Sequence, residues 1–598
     1  MSLPASQIPV SLFRQILVVP FAIRARREGK EVKSGEELVD SLCHILDRQQ
    51  PPRLWHAVDD PLRHLPEDQS AAGVGLLDAY QEFVYFEPFV QRFLYARPAD
   101  NGGRSPVRLY QRRDVAALDF AVPGDSDPES WPRYRLRVER VSLYLFDTGN
   151  ALFAVEFAFD AALAQRANEA DPAPRYRDAV TLADVLSIIE SVRRSYPPFF
   201  EEKKGILSTR YPAGLTWLTD PEAPTAFDAT AGHEATAYIG HVFNRRCSPM
   251  HPAWQELLRP VGGAGLPLEG YDCDGAVVLA QTGDDRAASF VSLAVPDPFT
   301  ISRPDWVRLC FADTVGSHDD LPYSEDFLAR FEGEHCYDRF WEPGKTAGDE
   351  NGRQVKRPPS AWKNARYLIC GYALTAVGKW DGEPKNEKNF NYFRDVVQGH
   401  LRRHYFQLFL ISHFHKVALL TLSDRLSQAL ARQPEEAFAN TVRVIQQDIL
   451  RFTNRYWFEE ISAQLQGQEL FRLMRSHLRN REMYDQLSRE VSETSAFLNN
   501  AEQRRVALGT ERLNKIAYPG LIAAAVTGFF GMNFFEADTL RDQPLLWLVL
   551  AAALAVLVFL GVHTWFDRLQ GRLQRVPGDR VWWGALAVLG VSALLLLI

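Results

Sequence analysis

Residues 516–535 read IAYPGLIAAAVTGFFGMNFF, and residues 545–566 read LLWLVLAAALAVLVFLGVHTWF. Neither segment contains a charged residue over its 20 or 22 positions. A helix of that length crosses the roughly 30 Å hydrocarbon core of a bilayer. The two segments therefore predict an α-helical membrane domain, residues 516–598, at the C-terminal end of a chain of 598 residues.

A third apolar segment, residues 581–598, is uncharged over 18 positions. That length is at the lower limit for a span. Its Trp582-Trp583 pair is typical of the membrane–water interface, where tryptophan rings are enriched. Two interpretations stay open, a third transmembrane helix and an interfacial anchor.

The rest of the chain has the composition of a soluble protein, with 24% charged residues and a mean hydropathy of −0.22 overall. A net charge of −8 argues against a general nucleic-acid binder, so no nucleic-acid polymer is expected as a partner. Six cysteines are scattered without a CxxC pair, which favours a reducing cytosol over a disulfide framework. No cleavable signal peptide is evident at the N-terminus.

Residues 1–386 predict a mixed α/β domain, either as one unit or as two subdomains. Alternating patterns predict strands at 15–23, 135–146 and 151–159, the last two joined by a turn at 147–150. Apolar or aromatic runs also predict strands at the following places: 82–95, 275–279, 289–295, 306–311 and 367–374.

Residues 387–515 predict long helices. After Pro434 the next proline is Pro519. A continuous helix over those roughly 80 residues would be about 120 Å long at 1.5 Å per residue. Such a helix predicts a stalk or coiled-coil element that leads into the membrane segment.

Charge asymmetry predicts the orientation in the membrane. The loop 536–544 carries Glu536, Asp538 and Asp542 against Arg541 alone. Basic residues flank the other ends of the two spans: Arg504, Arg505, Arg512, Lys515, Arg568, Arg572, Arg575 and Arg580. The positive-inside rule places the large N-terminal domain in the cytoplasm of a multi-pass protein of the inner or plasma membrane.

Gly531-Met532-Asn533 ends the first predicted span, just before the acidic loop. In a symmetric pore, Asn533 would form a ring of amide oxygens suited to the water shell of a hard cation such as Mg²⁺. Gly531 allows a close backbone approach, and the acidic loop would raise the local cation concentration.

Over about residues 435–566 the chain resembles the CorA-like (2-TM-GxN) family of magnesium transporters, through the long helix, "GFFGMNF", the short outer loop and the second span. The resemblance over residues 1–400 is only architectural. It implies a homopentameric funnel in the lipid bilayer, with first spans that line the pore and Gly531, Met532 and Asn533 as the entrance filter. It also implies Mg²⁺ as the transported and regulatory ion, and no organic cofactor. The "MPEL" loop of the family is absent, and the third apolar segment is an addition.

A pore-facing stripe follows from helical periodicity. Spacings of three and four place these residues on one face: Thr510, Leu513, Ala517, Leu521, Ala524, Gly528 and Gly531. Small residues let helices approach closely, and Leu513 and Leu521 would form hydrophobic constrictions. The alternative is that this stripe packs against the second span.

Other patterns are weaker. His400 and His404 are one helical turn apart, but no third ligand joins them, so packed or surface histidines are favoured over a metal site. Arginine pairs and acidic pairs are assigned no role. No nucleophile elbow, HExxH or Walker pattern occurs, so no enzymatic activity is expected.

Three functions remain at this stage. The first is a divalent-cation channel gated by cytoplasmic cation. The second is an effector on the same pore that responds to a small molecule or a nucleotide, since about 380 N-terminal residues is long for a plain transporter and some CorA-like proteins of similar plan accompany CRISPR systems. The third is a membrane anchor for a soluble interaction domain.

Overall fold

The computed structural model describes residues 2–25, 33–49, 53–59, 62, 74–96, 105–123, 127–170, 175–195, 212–219, 250–261, 277–283, 286–312, 323–342, 346–348, 354–356, 364–382, 390–432, 435–531 and 561. The chain divides into two compact units, Met1–Val491 and Ser492–Ile598. The first unit is an N-terminal α/β domain followed by helices, and a single helix makes up nearly all that is described of the second.

Twelve of the described strands form one sheet, and a separate two-stranded sheet pairs β11 with β12. Their bounds are β1 Leu12–Ala25, β2 Trp55–Ala57, β3 Val107–Arg112, β4 Ala117–Ala121, β5 Arg133–Phe146, β6 Asn150–Phe159, β7 Ala213–Leu218, β8 Val277–Gln281, β9 Ala288–Val295, β10 Cys336–Tyr337, β11 Thr346–Gly348, β12 Gln354–Lys356, β13 Ala365–Ile369 and β14 Ala373–Lys379. The order is β10-β13-β14-β9-β1-β6-β5-β3-β2, with β8 beside β1, β4 beside β5, and β7 beside β4. Only β9 and β14 pair in parallel among the described strands.

The described α-helices are α1 Gly35–Asp47, α2 Val74–Tyr85, α3 Pro88–Leu94, α4 Ala161–Ala170, α5 Leu182–Val192, α6 Pro252–Leu258, α7 Arg303–Phe311, α8 Glu325–His335, α9 Gln398–Arg402, α10 His404–Arg432, α11 Glu435–Arg455, α12 Leu465–Leu478 and α13 Asn480–Gly531. A π-helical turn, Phe393–Val397, leads into α9.

The sheet is buried on both faces, as strands in the middle of a layered fold are. One face carries the large core that includes Phe13, Val141 and Phe153. The opposite face packs against α10, where the ring of Phe146 stacks on that of Phe414 with centroids 4.2 Å apart. Because α10 packs on the sheet and α11 and α12 pack on α10, the first unit continues to Val491, past the predicted boundary at residue 387.

The predicted hairpin is confirmed. Strands β5 and β6 pair antiparallel from Phe146↔Asn150 onwards. The turn includes Gly149 at a φ of +84°, a left-handed conformation that favours glycine. The amide of Gly149 donates to the carbonyl of Phe146 at 2.9 Å, which closes the turn.

The first turn of α1 touches this hairpin turn so closely that Gly35 has no room for a side chain. A Cβ atom there would lie 2.6 Å from the carbonyl oxygen of Thr148 and 2.7 Å from the amide nitrogen of Gly149. We expect Gly35→Ala to destabilise the protein by about 1–3 kcal/mol, because the neighbouring backbone must shift. Gly333→Ala is the control, since a Cβ there would meet no atom within 4 Å inside helix α8.

Thermal unfolding followed by tryptophan fluorescence, on the full chain in mild detergent, measures both variants. Gly35→Ala should lower the melting temperature. Gly333→Ala should keep or raise it, because alanine favours the helix. Equal melting temperatures for Gly35→Ala and wild type would contradict the close approach.

Two predicted strands are helices. Residues 82–95 fall in α2 and α3, and residues 306–311 fall in α7. Both errors concern short runs of apolar and aromatic residues. Such a run can be buried in a helix as well as in a strand, so its pattern does not distinguish the two. The start signals decide the outcome, since Pro88 begins α3 and the Ser302 hydroxyl accepts from the amide of Asp305 at the start of α7. The predicted strand 367–374 is likewise two strands, β13 and β14.

The prediction of one continuous helix over residues 435–515 is wrong. Helix α11 ends at Arg455, α12 begins at Leu465, and Arg479 separates α12 from α13 with a φ of +56°. Tyr456 and Phe458, in the connection after α11, are buried, with a ring nitrogen of His415 2.6 Å from the carbonyl oxygen of Tyr456 and the Arg475 guanidinium 3.0 Å from that of Phe458. Tertiary contacts of aromatic residues therefore outweigh the helical propensity of the segment.

Candidate functional site

Helix α13 begins inside the packed unit. The side chain of Asn480 is fully buried and donates to the carbonyl of Ser412 at 2.9 Å. One turn later, the ring of Tyr484 stacks on Trp457 with centroids 4.5 Å apart. These contacts hold the first turns of a helix whose 52 residues correspond to about 78 Å at 1.5 Å per residue.

Beyond residue 501, every side chain of α13 that the structure describes is exposed. The exposed positions include large apolar side chains such as Leu508, Leu513 and Leu521, with exposed fractions of 56%, 68% and 71%. These apolar side chains are interspersed with charged ones such as Glu502 and Arg512, and they are available for contact with other protein helices or with lipid.

The predicted pore-facing residues Thr510, Leu513, Ala517 and Leu521 are all exposed along α13. The Thr510 hydroxyl donates back to the carbonyl of Val506 at 2.9 Å. The helix continues through Pro519 and includes positions Ala524 and Gly528. Gly531 is the last residue of this helix that the structure describes.

The remaining predicted pore residues, Met532 and Asn533, lie outside the described residues, as do the acidic-loop residues Glu536, Asp538 and Asp542. The predicted spans 545–566 and 581–598 also lie outside them, apart from Gly561. The entrance filter, the acidic loop and these two spans therefore stay predictions.

One helical stretch within the described part of the chain, Phe393–Ala429, is long and apolar enough to cross a membrane. Most of it is buried inside the first unit, where Phe406 and Phe409 meet the ring of Phe290 on strand β9. Those contacts are typical of a core helix. Of the predicted span 516–535, the described helix contains residues 516–531.

The histidines singled out in the sequence pack against aromatic rings. The imidazole of His404 is stacked on Tyr85, with centroids 4.3 Å apart, and that of His400 lies 4.6 Å from His404. Burial lowers the pKa of both imidazoles. The described residues hold no group of three or more histidine, cysteine, aspartate or glutamate side chains that could bind a metal ion.

A buried charge cluster lies between the sheet and α9, and sequence reasoning did not identify it. Glu156, only 1% exposed, faces three guanidinium groups, with nitrogens 3.6 Å away on Arg14, 3.0 Å away on Arg140 and 3.3 Å away on Arg402. Glu139 contacts Arg14 and Arg402 from the other side, at 3.8 and 3.6 Å. Burial raises the pKa of the Glu156 carboxyl, but the three arginines outweigh burial and lower it overall.

A β-bulge creates this cluster. The register of β5 against β6 shifts between Val138 and Arg140, so that Glu139 is an extra residue. Val138 and Val141 both belong to the core on the opposite face, which means that the alternation changes phase at the bulge. Arg140 is thereby turned towards Glu156 and α9.

A cavity of about 540 Å³ opens between α3 and the C-terminal end of α11. Its apolar wall includes Phe93 and Tyr456, which are buried and have ring centroids 5.1 Å apart. Phe89, Arg92 and Arg455 also line it and are exposed to solvent.

Behind this cavity, the carboxyl of Asp147 accepts a hydrogen bond from the hydroxyl of Tyr456. Burial raises the pKa of Asp147 to about 6, against the opposing effects of the Tyr456 hydrogen bond and of Arg451 and Arg455, and with a small further increase from Glu36. Since the folded pKa is above the unfolded value, the protonated carboxyl stabilises the fold at low pH. This contribution is fully present below about pH 4 and is lost as the pH rises through 6.

We expect Asp147→Asn to remove this pH dependence, because an amide accepts the same hydrogen bond and stays neutral. Relative to wild type, the variant should gain up to about 3 kcal/mol of stability between pH 4 and pH 7. Melting temperatures of the full chain across that range measure the gain. Asp485→Asn, on the exposed side of α13, should follow the wild-type curve. If the curve for Asp147→Asn ran parallel to that of wild type across this pH range, the assignment of Asp147 as a buried acid would be refuted.

Comparison with known proteins does not assign this chain to a family. No protein-family model and no curated protein matches this sequence. Among solved structures the chain is similar to the complete structure of the CorA magnesium transporter from Methanocaldococcus jannaschii. The sequences are 14% identical, the similarity covers 48% of this chain and 94% of that chain, and the TM-score is 0.13. A TM-score of this size does not establish a shared fold.

Proposed function

We propose that this chain is the subunit of a homo-oligomeric membrane channel for divalent cations, with Mg²⁺ as the preferred ion and no catalytic activity. The observation that carries the proposal is helix α13. It begins at a buried Asn480, continues with exposed apolar side chains, and is described as far as Gly531, the first residue of the Gly-Met-Asn sequence.

Exposed apolar residues on a long helix support contact with further copies and with lipid. Two uncharged segments of spanning length, separated by an acidic loop, support a pore that concentrates cations at its outer entrance. The basic residues around the spans support an N-terminal unit in the cytoplasm. A pentamer is the assembly that the sequence resemblance favours.

Flux through reconstituted protein tests the proposal. Proteoliposomes that contain a Mg²⁺-sensitive dye should show Mg²⁺ influx driven by a negative internal potential, above that of protein-free vesicles. Light scattering in mild detergent should give a particle about five times the 67.8 kDa chain mass. A monomer would refute the channel, because one or two spanning helices cannot enclose a pore.

A ligand-gated version of the same pore is the second candidate. The observation that favours it is the solvent-accessible cavity at the end of α11, because this helix leads through residues 456–464 and α12 towards α13. A ligand there would contact the chain close to the start of the proposed pore helix.

A further inference from the structure

Two positive charges line the cavity between α3 and α11. Arg92 and Arg455 are exposed, and neither forms an ion pair with a carboxylate among the residues that the structure describes. The guanidinium group of Arg455 is close enough to Asp147 and Tyr456 to act to lower the pKa of each. A guanidinium group presents a planar set of donors that matches the oxygens of a phosphate, so the pair is suited to an anionic ligand.

Two other polar side chains of the cavity wall are already used within the protein. The Gln91 amide donates to the carbonyls of Phe83 and Phe86, at 2.9 and 2.8 Å. The Tyr95 hydroxyl donates to Glu82 at 2.7 Å. These bonds hold the wall in place and leave the two arginines, with the exposed amide of Asn454, as the groups that would select a ligand.

Much of the remaining lining is aromatic or small and apolar. Phe83 and Phe93 contribute to the wall, and Phe89, whose ring centroid lies 5.6 Å from that of Phe458, is 39% exposed at the opening. An exposed ring beside two guanidinium groups offers a stacking surface and a charge site together. The volume of about 540 Å³ is within the range of small-molecule sites.

We propose that this cavity binds a small organic phosphate in which an aromatic ring system carries the anionic group. The rings would lie against Phe89 and Phe93, and the phosphate would lie between Arg92 and Arg455. The bound molecule would join α3 to the last turn of α11. Any regulatory effect on flux rests on the proposed channel function, whereas binding itself does not.

The test uses 1-naphthyl phosphate as a fluorescent probe and the full chain in phosphatidylcholine nanodiscs. Fluorescence anisotropy should show saturable binding, with 1-naphthol and inorganic phosphate each competing at least about tenfold more weakly than the probe itself. Arg92→Gln and Arg455→Gln should each weaken binding about tenfold. Phe89→Ala should weaken it severalfold through the loss of stacking.

The matched control is Arg443→Gln, an exposed arginine earlier on α11 that does not line the cavity; it should bind the probe like wild type. Wild-type affinity in both cavity arginine variants would overturn the proposal. Equal affinity for inorganic phosphate and the probe would also overturn it, because that result indicates an adventitious ion only. Equal uptake of the probe by protein-free nanodiscs would overturn it as well.

A flux measurement separates this site from the channel. The probe should change Mg²⁺ influx through wild-type protein and leave influx through Arg455→Gln unchanged. Absence of influx in every sample would count against the channel alone, and the anisotropy titration would still decide the binding site.

Discussion

Asn533→Ala should reduce Mg²⁺ influx at least about a hundredfold, to the level of protein-free liposomes. The physical reason is that a filter for hydrated Mg²⁺ needs a ring of oxygen acceptors at a fixed place, and alanine supplies none. Dye-loaded proteoliposomes with a negative internal potential measure this directly. The oligomer itself should persist, because the proposed role of Asn533 is to face the ion.

The matched control is Gln543→Ala, which removes an amide from the adjacent loop, ten residues further along the chain. Its influx should remain close to wild type. Neutralising the loop with Glu536→Gln and Asp538→Asn should lower influx only severalfold, and less at high salt, because these charges act through the local cation concentration. Full influx through Asn533→Ala would eliminate the entrance assignment, whatever the oligomeric state.

Glu156→Gln should be the most destabilising conservative change in the α/β domain. The carboxylate is the buried partner of Arg14, Arg140 and Arg402. Its removal leaves three guanidinium groups in a buried site where Glu139, with Glu82 near Arg140, remains to balance them, and breaking a buried ion pair in this way costs about 3–5 kcal/mol. Thermal unfolding of the full chain in mild detergent is the measurement.

Glu139→Gln provides the matched control in the same cluster. Its side chain is 13% exposed and its closest partner, Arg137, is 49% exposed, so solvent screens much of the interaction. We expect a loss of about 1 kcal/mol or less for this variant. A similar loss for both variants would show that burial of Glu156 is not the deciding factor.

The effect of Glu156→Gln should also depend on pH in a defined direction. Because the arginines lower the folded pKa of Glu156 below its unfolded value, its stabilisation is present above about pH 4.3 and is lost as the pH falls through the folded pKa. The gap in melting temperature between wild type and Glu156→Gln should therefore narrow in acid. A gap that widens in acid would contradict the ion-pair explanation.

Local patterns in the sequence were sufficient for several elements. Strand β1 and the β5–β6 hairpin with its Gly149 turn follow from periodicity and from turn chemistry, which depend on neighbouring residues only. The uncharged segments and the Gly531-Met532-Asn533 sequence are likewise properties of the chain itself. The proposed pore is built from these segments and this sequence.

The errors have a common cause. Residues 82–95 and 306–311 are apolar enough to be buried in any conformation, and their helical state depends on the start signals and on what packs over them. The helix expected to continue past Arg455 is interrupted because Tyr456 and Phe458 are buried beside His415. Composition does not reveal such an interruption, since each residue involved would also be acceptable in a helix.

The sequence by itself determined the order of the regions, an α/β part, then helices, then two or three apolar segments, because each of these depends on composition and period along the chain. Only the tertiary structure decided which charges and rings meet. Arg14, Glu156 and Arg402 lie far apart in the sequence and meet only in the folded protein. A bulge at Glu139 turns Arg140 towards them. The cavity beside Arg92 and Arg455 has the same origin, since contacts between distant segments depend on how the sheet and helices pack rather than on any local pattern.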